Sequence, residues 1–108
     1  IDFEAMTEMP IEHFRDGDGT VYFRKVEGDA LNLLRGRLPA GSSIGLHRHE
    51  GTSEVIYILS GVGTILYEGK TERLTAGSCH YCAEGESHSL RNDGEEDLTF
   101  FAVIPKHM

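Results

Sequence analysis

The sequence has no tryptophan, and only two cysteines and three prolines in 108 residues. Two thiols cannot build a disulfide framework, so a reducing, cytoplasmic setting is expected. No run approaches the ~18 apolar residues that a membrane helix needs. Ile1-Asp2-Phe3-Glu4 shows neither the basic nor the apolar region of a secretory signal. Positive charge is scarce: 10 Lys and Arg stand against 18 Asp and Glu, a net −8. Nucleic acid and anionic membrane surfaces both need a positive field, so neither is an expected partner. A small anionic ligand is not excluded, because a bound metal can invert the local field. No stretch sustains a 3.6-residue apolar period, which removes helical folds from consideration.

Short runs rich in β-formers are what the chain does contain. They are Thr20 to Val26, Leu31 to Leu38, Glu54 to Leu59, Gly63 to Tyr67, Glu72 to Leu74, Cys79 to Cys82, Ser87 to Asn92 and Leu98 to Ile104. Gly and Asn/Asp signals separate them at nearly the 8–12-residue spacing of an all-β sandwich or barrel. Glu68-Gly69-Lys70 reads as a hairpin turn. The 13 glycines suit the tight turns of a small barrel or jelly roll. Residues 7–19 are polar and end in Asp16-Gly17-Asp18-Gly19, a strong turn signal. The length fits one domain: residues 1–19 are an N-terminal segment that packs on the barrel or on a partner, and residues 20–108 are the barrel.

The informative stretch is His47-Arg48-His49 followed by Glu54. Residues two apart on a strand share a face, so His47 and His49 can reach one point. Glu54 opens the next apolar run, and its carboxylate can meet both imidazoles if the two strands pair. His88 opens a later strand. Three imidazoles and one carboxylate suit Zn, Fe, Mn, Ni, Co or Cu. For His47 and His49 alone, ordinary polar strand residues are the commoner reading. His13 and His107 lie in polar terminal contexts and read as surface residues.

Several other residues bear weighing. Cys79-His80-Tyr81-Cys82 has the spacing of a redox pair, but on a strand residues three apart diverge. His80 and Cys82 share a face; if it is the inner one, His80 is a candidate acid/base beside the metal, the blander alternative being a buried, hydrogen-bonded histidine. Arg35 and Arg37 alternate with Leu31 and Leu33. Either could hold a carboxylate inside the barrel, although a solvated outer face is the commoner outcome. Tyr57 is three from Glu54 and should point away from the metal, into core or interface. Phe100 to Ile104 is apolar on both faces, so its outer face calls for a second sheet or a second subunit.

Gly41-x5-His47-x-His49-x4-Glu54-x6-Gly61 resembles the first cupin motif at every defined position. Gly77-x5-Ala83-x-Gly85-x2-His88-x3-Asn92 resembles the second, with Ala83 where the family usually has Pro. That departure should loosen the turn slightly without removing a ligand. The two motifs span Gly41 to Asn92, about half the chain. The resemblance implies a single-domain cupin β-barrel, a double-stranded β-helix or jelly roll. It also implies one divalent transition metal per chain on His47, His49, Glu54 and His88.

Pro39 to His47 and Gly85 to Ser89 are similar to small one-domain cupins of bacteria and archaea. Some of these carry the label of oxalate decarboxylase, and they are typically homodimers. Two-domain oxalate decarboxylases have an Arg three residues before the first His; here Ile44 stands there. The resemblance therefore supports binding of a small carboxylate better than that reaction. Two readings follow. One is a metalloenzyme acting on a small acid or sugar-like ligand by decarboxylation, dioxygenation or isomerisation, with His80 and Arg35 as its weak catalytic candidates. The other is a non-catalytic module that captures a small ligand as a sensor or store.

Overall fold

The structure, a computed structural model, describes residues 1–107. Its ten strands form two antiparallel sheets. In spatial order the larger sheet is β1 (Met9–Glu12), β2 (Thr20–Glu27), β3 (Leu31–Leu38), β10 (Leu98–Pro105), β5 (Glu54–Ser60) and β8 (Cys79–Cys82). The smaller is β4 (Ser43–Arg48), β9 (Ser87–Arg91), β6 (Val62–Tyr67) and β7 (Lys70–Thr75). Two single turns of 3-10 helix, Phe3–Ala5 and Phe14–Asp16, are the helical content among the described residues. No described helix is long and apolar enough to cross a membrane. This is the all-β jelly roll expected of the strand spacing.

Strand alternation decides what enters the core. In β3, Leu34 and Leu38 are buried while Arg35 and Arg37 between and beside them are part-exposed. In β10, Leu98, Phe100 and Ala102 point inward. The smaller sheet contributes Ile44, Ile65, Leu74 and Leu90 to the same apolar cluster. Each fully buried side chain of this size contributes roughly 1.5–3 kcal/mol relative to exposure.

The β6–β7 turn uses two residues, Glu68 (φ 47°) and Gly69 (φ 80°). Two left-handed positions in a row match the right-handed twist of the strands that follow. Asn92, fully buried, donates through Nδ2 to the carbonyls of Leu38 and Glu96 and accepts from the Gly94 N–H. One side chain thus pins the β9 exit to the end of β3.

The N-terminal residues depart from the sequence reading. Residues 9–12, read there as part of a polar lead, form edge strand β1 on β2. All four are exposed. Met9 and Ile11 share a face, but an alternation four residues long that contains Pro10 is too short and too atypical of a strand to stand out. Residues 13–17 then press against β4. A Cβ on Gly45 would lie 1.9 Å from the Arg15 carbonyl oxygen, and one on Gly17 would lie 2.2 Å from that of Ser43.

Gly36 makes a comparable contact in the core, where a Cβ would sit 2.2 Å from the Phe100 ring. A Gly36→Ala change should therefore cost about 1–3 kcal/mol through overpacking. A urea midpoint equal to the parent's would show that Phe100 yields freely.

Candidate metal centre

His47 lies on β4 and His88 on β9, and the two are direct cross-strand partners. Their strands pair, so the imidazoles emerge side by side. Glu54 opens β5 in the opposite sheet. Here the structure corrects the sequence reading, because β4 does not pair with β5. The carboxylate reaches the histidines across the gap between the sheets. His49 stands just past the end of β4 and is held by loop contacts instead of strand pairing. Its N–H donates to the Glu86 carbonyl and its own carbonyl accepts from the Gly85 N–H. Gly85 (φ 86°) belongs to the turn closed by the Glu86 N–H on the Ala83 carbonyl. That turn therefore positions His49 as well as delivering His88.

One ligand atom from each of His47, His49, Glu54 and His88 lies within 4.8 Å of all the others. The Nε2 of His49 is 3.1 Å from Glu54 Oε1 and 3.0 Å from His88 Nε2. The His88 Nε2 is 3.0 Å from the same carboxylate oxygen. Ligand atoms ~2.0–2.2 Å from an ion and at right angles are separated by about 3 Å. The observed spacing thus lets these donors share one ion.

Each histidine is held from behind. His47 Nδ1–H donates to the Gly45 carbonyl at 2.8 Å, which leaves its Nε2 bare in the neutral ring. His49 Nδ1 pairs with Thr52 Oγ1 at 2.8 Å, and His88 Nδ1 with His80 Nε2 at 2.9 Å. Outer partners of this kind set ring orientation and raise ligand basicity. Bare nitrogens and a carboxylate facing one another at 3 Å repel unless a cation or a proton sits among them, which is the donor-set chemistry of a metal site.

The electrostatics agree. Burial holds the His47 imidazole down to about 4, so it is neutral and ready to ligate near pH 7. In the metal-free protein, burial alone would raise the Glu54 carboxyl, but Nε2–H hydrogen bonds from His49 and His88 outweigh it and hold it down to about 2.

The site opens onto a cavity of about 220 Å³ between the sheets. Its walls are largely apolar, with Phe14, Phe23, Ile44, Ile56, Phe100 and Ile104 among them. Arg15, Lys25, Asn32 and Thr52 are the polar residues there besides the His/Glu cluster. The Oδ1 of Asn32 is the one buried side-chain polar atom without a partner among the described residues.

The weaker candidates fall elsewhere. His80 is on the inner face and buried, but it sits behind His88 and does not line the cavity. Its ring is buried and its Nε2 pairs with His88 Nδ1. Arg35 lies on the outer face, ion-paired with Glu4, and Arg37 beside it binds Glu8 and Asp97. Neither enters the barrel, because the inward register of β3 belongs to Leu34 and Gly36. Cys79 is exposed and Cys82 buried, so the thiols diverge as expected. Burial and nearby Glu54 push the Cys82 thiol up to about 11, which keeps it protonated. His13 and His107 are exposed and far from the cluster in function: one bonds Gly17, the other Ser53. Sequence reasoning missed Lys25 and Asn32, whose alternation marks a face but not which face is inner, and Arg15, which lies in a single 3-10 turn and carries no periodic signal.

Comparison with known proteins gives a consistent picture. The Cupin domain family matches residues 34–104. An oxalate-binding protein of Thermotoga maritima is 40% identical over 105 residues, which cover 92% of this chain and 87% of the relative. The crystal structure of a predicted oxalate decarboxylase from Thermotoga maritima has a TM-score of 0.93 at 38% identity, covering 98% of this chain and 97% of that one. KdgF from a Halomonas species is similar in fold alone, with a TM-score of 0.83 at 15% identity over 97% of this chain and 92% of its own.

Two outcomes are expected. A His80→Ala change should weaken metal affinity about 10–100-fold with the fold intact, as loss of an outer partner does; a chelator competition would read it. In the metal-free protein, His47 and His80 are both held at about 4, against 6.5 for an ordinary imidazole. The unfolded chain binds more protons between those values, so stability should fall as pH drops from 6.5 to 4. Urea midpoints at pH 7, 5.5 and 4.5 that do not descend would contradict this.

Proposed function

This chain belongs to the cupin family, and from that premise we propose that it binds a small carboxylate at a divalent transition metal held by His47, His49, Glu54 and His88. The observation that carries the reading is the convergence of four ligand atoms within 4.8 Å, each histidine oriented by an outer hydrogen-bond partner. Its oxalate-binding relative supports a small carboxylate as the ligand. The bound ion would supply positive charge and open coordination positions for carboxylate oxygens. Gly45, Thr52 and His80 keep the rings aimed inward while the ligand exchanges. The apolar walls exclude water and strengthen the electrostatic contact.

Capture is favoured over turnover. Glu54 is the one carboxylate on the cavity among the described residues, and it is committed to the histidines. Among the described residues, no imidazole outside the cluster lines the space. A proton-transfer step would have to rely on Lys25, which is ion-paired with Glu27 at 3.3 Å. The alternative is a decarboxylase, dioxygenase or isomerase working from the same site.

A homodimer is part of the same proposal. Val26, Leu33, Val103, Val55 and Tyr81 run in register across the outer face of the larger sheet. The chain's own N-terminal turn covers only part of that face, through Phe3 edge-on to Phe101 at 5.8 Å.

Elemental analysis of tag-free protein should find one divalent transition-metal ion per chain, lost in His47→Ala and in Glu54→Gln. Oxalate should bind the loaded parent saturably and leave the metal-free protein untouched, with no product after long aerobic incubation. Binding that persists without metal would overturn the site; steady product formation would replace capture by catalysis. Light scattering should give twice the chain mass, and Val55→Glu should shift it to the monomer.

A further inference from the structure

The proposed ligand is an anion, yet the chain carries a net charge of −8. Attraction at the cavity beyond that of the bound ion must therefore come from local cations. Two line it, Arg15 and Lys25. Lys25 already has Glu27 at 3.3 Å. No carboxylate among the described residues lies within ion-pair distance of Arg15. Its guanidinium lies over the Phe14 ring, 5.5 Å from the centroid. Stacking occupies the face of the group and leaves its planar fork of N–H donors for another partner.

The backbone that carries Arg15 is held in place at some expense. Arg15 (φ 56°, ψ 36°), His13 (φ 51°) and Asp16 (φ 63°) are all left-handed without being glycine. Such a conformation persists only where its surroundings enforce it. Here the Asp18 carbonyl accepts from the Ser43 N–H, and the Asp18 N–H donates to Ser43 Oγ. The Arg15 carbonyl nests where Gly45 has no side chain. That same Gly45 accepts the hydrogen bond that orients His47. One residue thus sets both the strap and a ligand imidazole, so the Arg15 backbone has a defined position relative to the cluster, from which its exposed side chain borders the cavity.

Resting on the metal-site reading above, we propose that Arg15 is a specificity-determining residue that takes the outer carboxylate of a small dicarboxylate whose inner oxygens meet the His/Glu centre. A fork of parallel donors matches a carboxylate bidentately, which a single point charge does not. A monocarboxylate of equal size would occupy the inner position and leave the fork unused. The site therefore selects dianions by their second charge.

The test uses the Mn(II)-loaded full chain and calorimetric titration with oxalate and, separately, with glycolate, a two-carbon chelator with one carboxylate. Arg15→Ala should weaken oxalate about 10–100-fold, the loss typical of a charge-assisted hydrogen bond. Glycolate affinity and Mn(II) uptake should stay within twofold, and uptake also serves as the check on folding. Arg15→Lys should restore part of the oxalate affinity but not all of it. Oxalate binding to Arg15→Ala within twofold of the parent would overturn the inference and leave the metal-site reading standing. A glycolate loss as large as the oxalate loss would also overturn it, because the residue would then act without regard to the second charge. A loaded parent that binds neither acid would overturn both readings together.

Discussion

Three imidazole nitrogens and a carboxylate oxygen are crowded between two sheets, and much of the fold serves to hold that concentration of lone pairs together. Groups of this kind repel one another and lose hydration on burial. They persist only if each is tethered from outside. The tethers come from separate parts of the chain: a backbone carbonyl at Gly45, a hydroxyl at Thr52 and a second imidazole at His80. The turn at Ala83–Glu86 adds two backbone bonds to His49. Losing any one of them would free a ring to rotate away from its neighbours.

The placement of charge follows from the same constraint. The acidic surplus is spread over the surface, while the cavity is apolar except at its cluster and a few polar residues. Surface arginines are largely consumed by ion pairs with Glu4, Glu8, Asp18 and Asp97. Exposed pairs of this type add little to stability.

Much of this was legible in the residues. Period-two alternation placed β3 at Leu31–Leu38 and β8 at Cys79–Cys82, and it separated the two thiols. The Glu68-Gly69 turn announced itself through residues that tolerate left-handed backbone. Spacing alone left His47 and His49 as ordinary strand residues; it was the resemblance of two motifs in register to those of the cupins that singled out His47, His49, Glu54 and His88. Edge strand β1 was not legible, since its Met9/Ile11 alternation spans only four residues and is interrupted by Pro10.

The sequence by itself determined the all-β class and the alternation within each strand, which are local properties set by which side chain follows which; the identity of the clustered residues it carried only through motifs that resemble those of a known family. The tertiary structure alone decided that β4 pairs with β9 and not with β5, so that Glu54 arrives from the opposite sheet. It also decided that His80 backs His88 instead of facing the cavity, and that Arg35 turns outward while Arg15 reaches the cavity from a strained strap. Alternation tells which residues share a face, but only the packing of distant strands tells which face is inside.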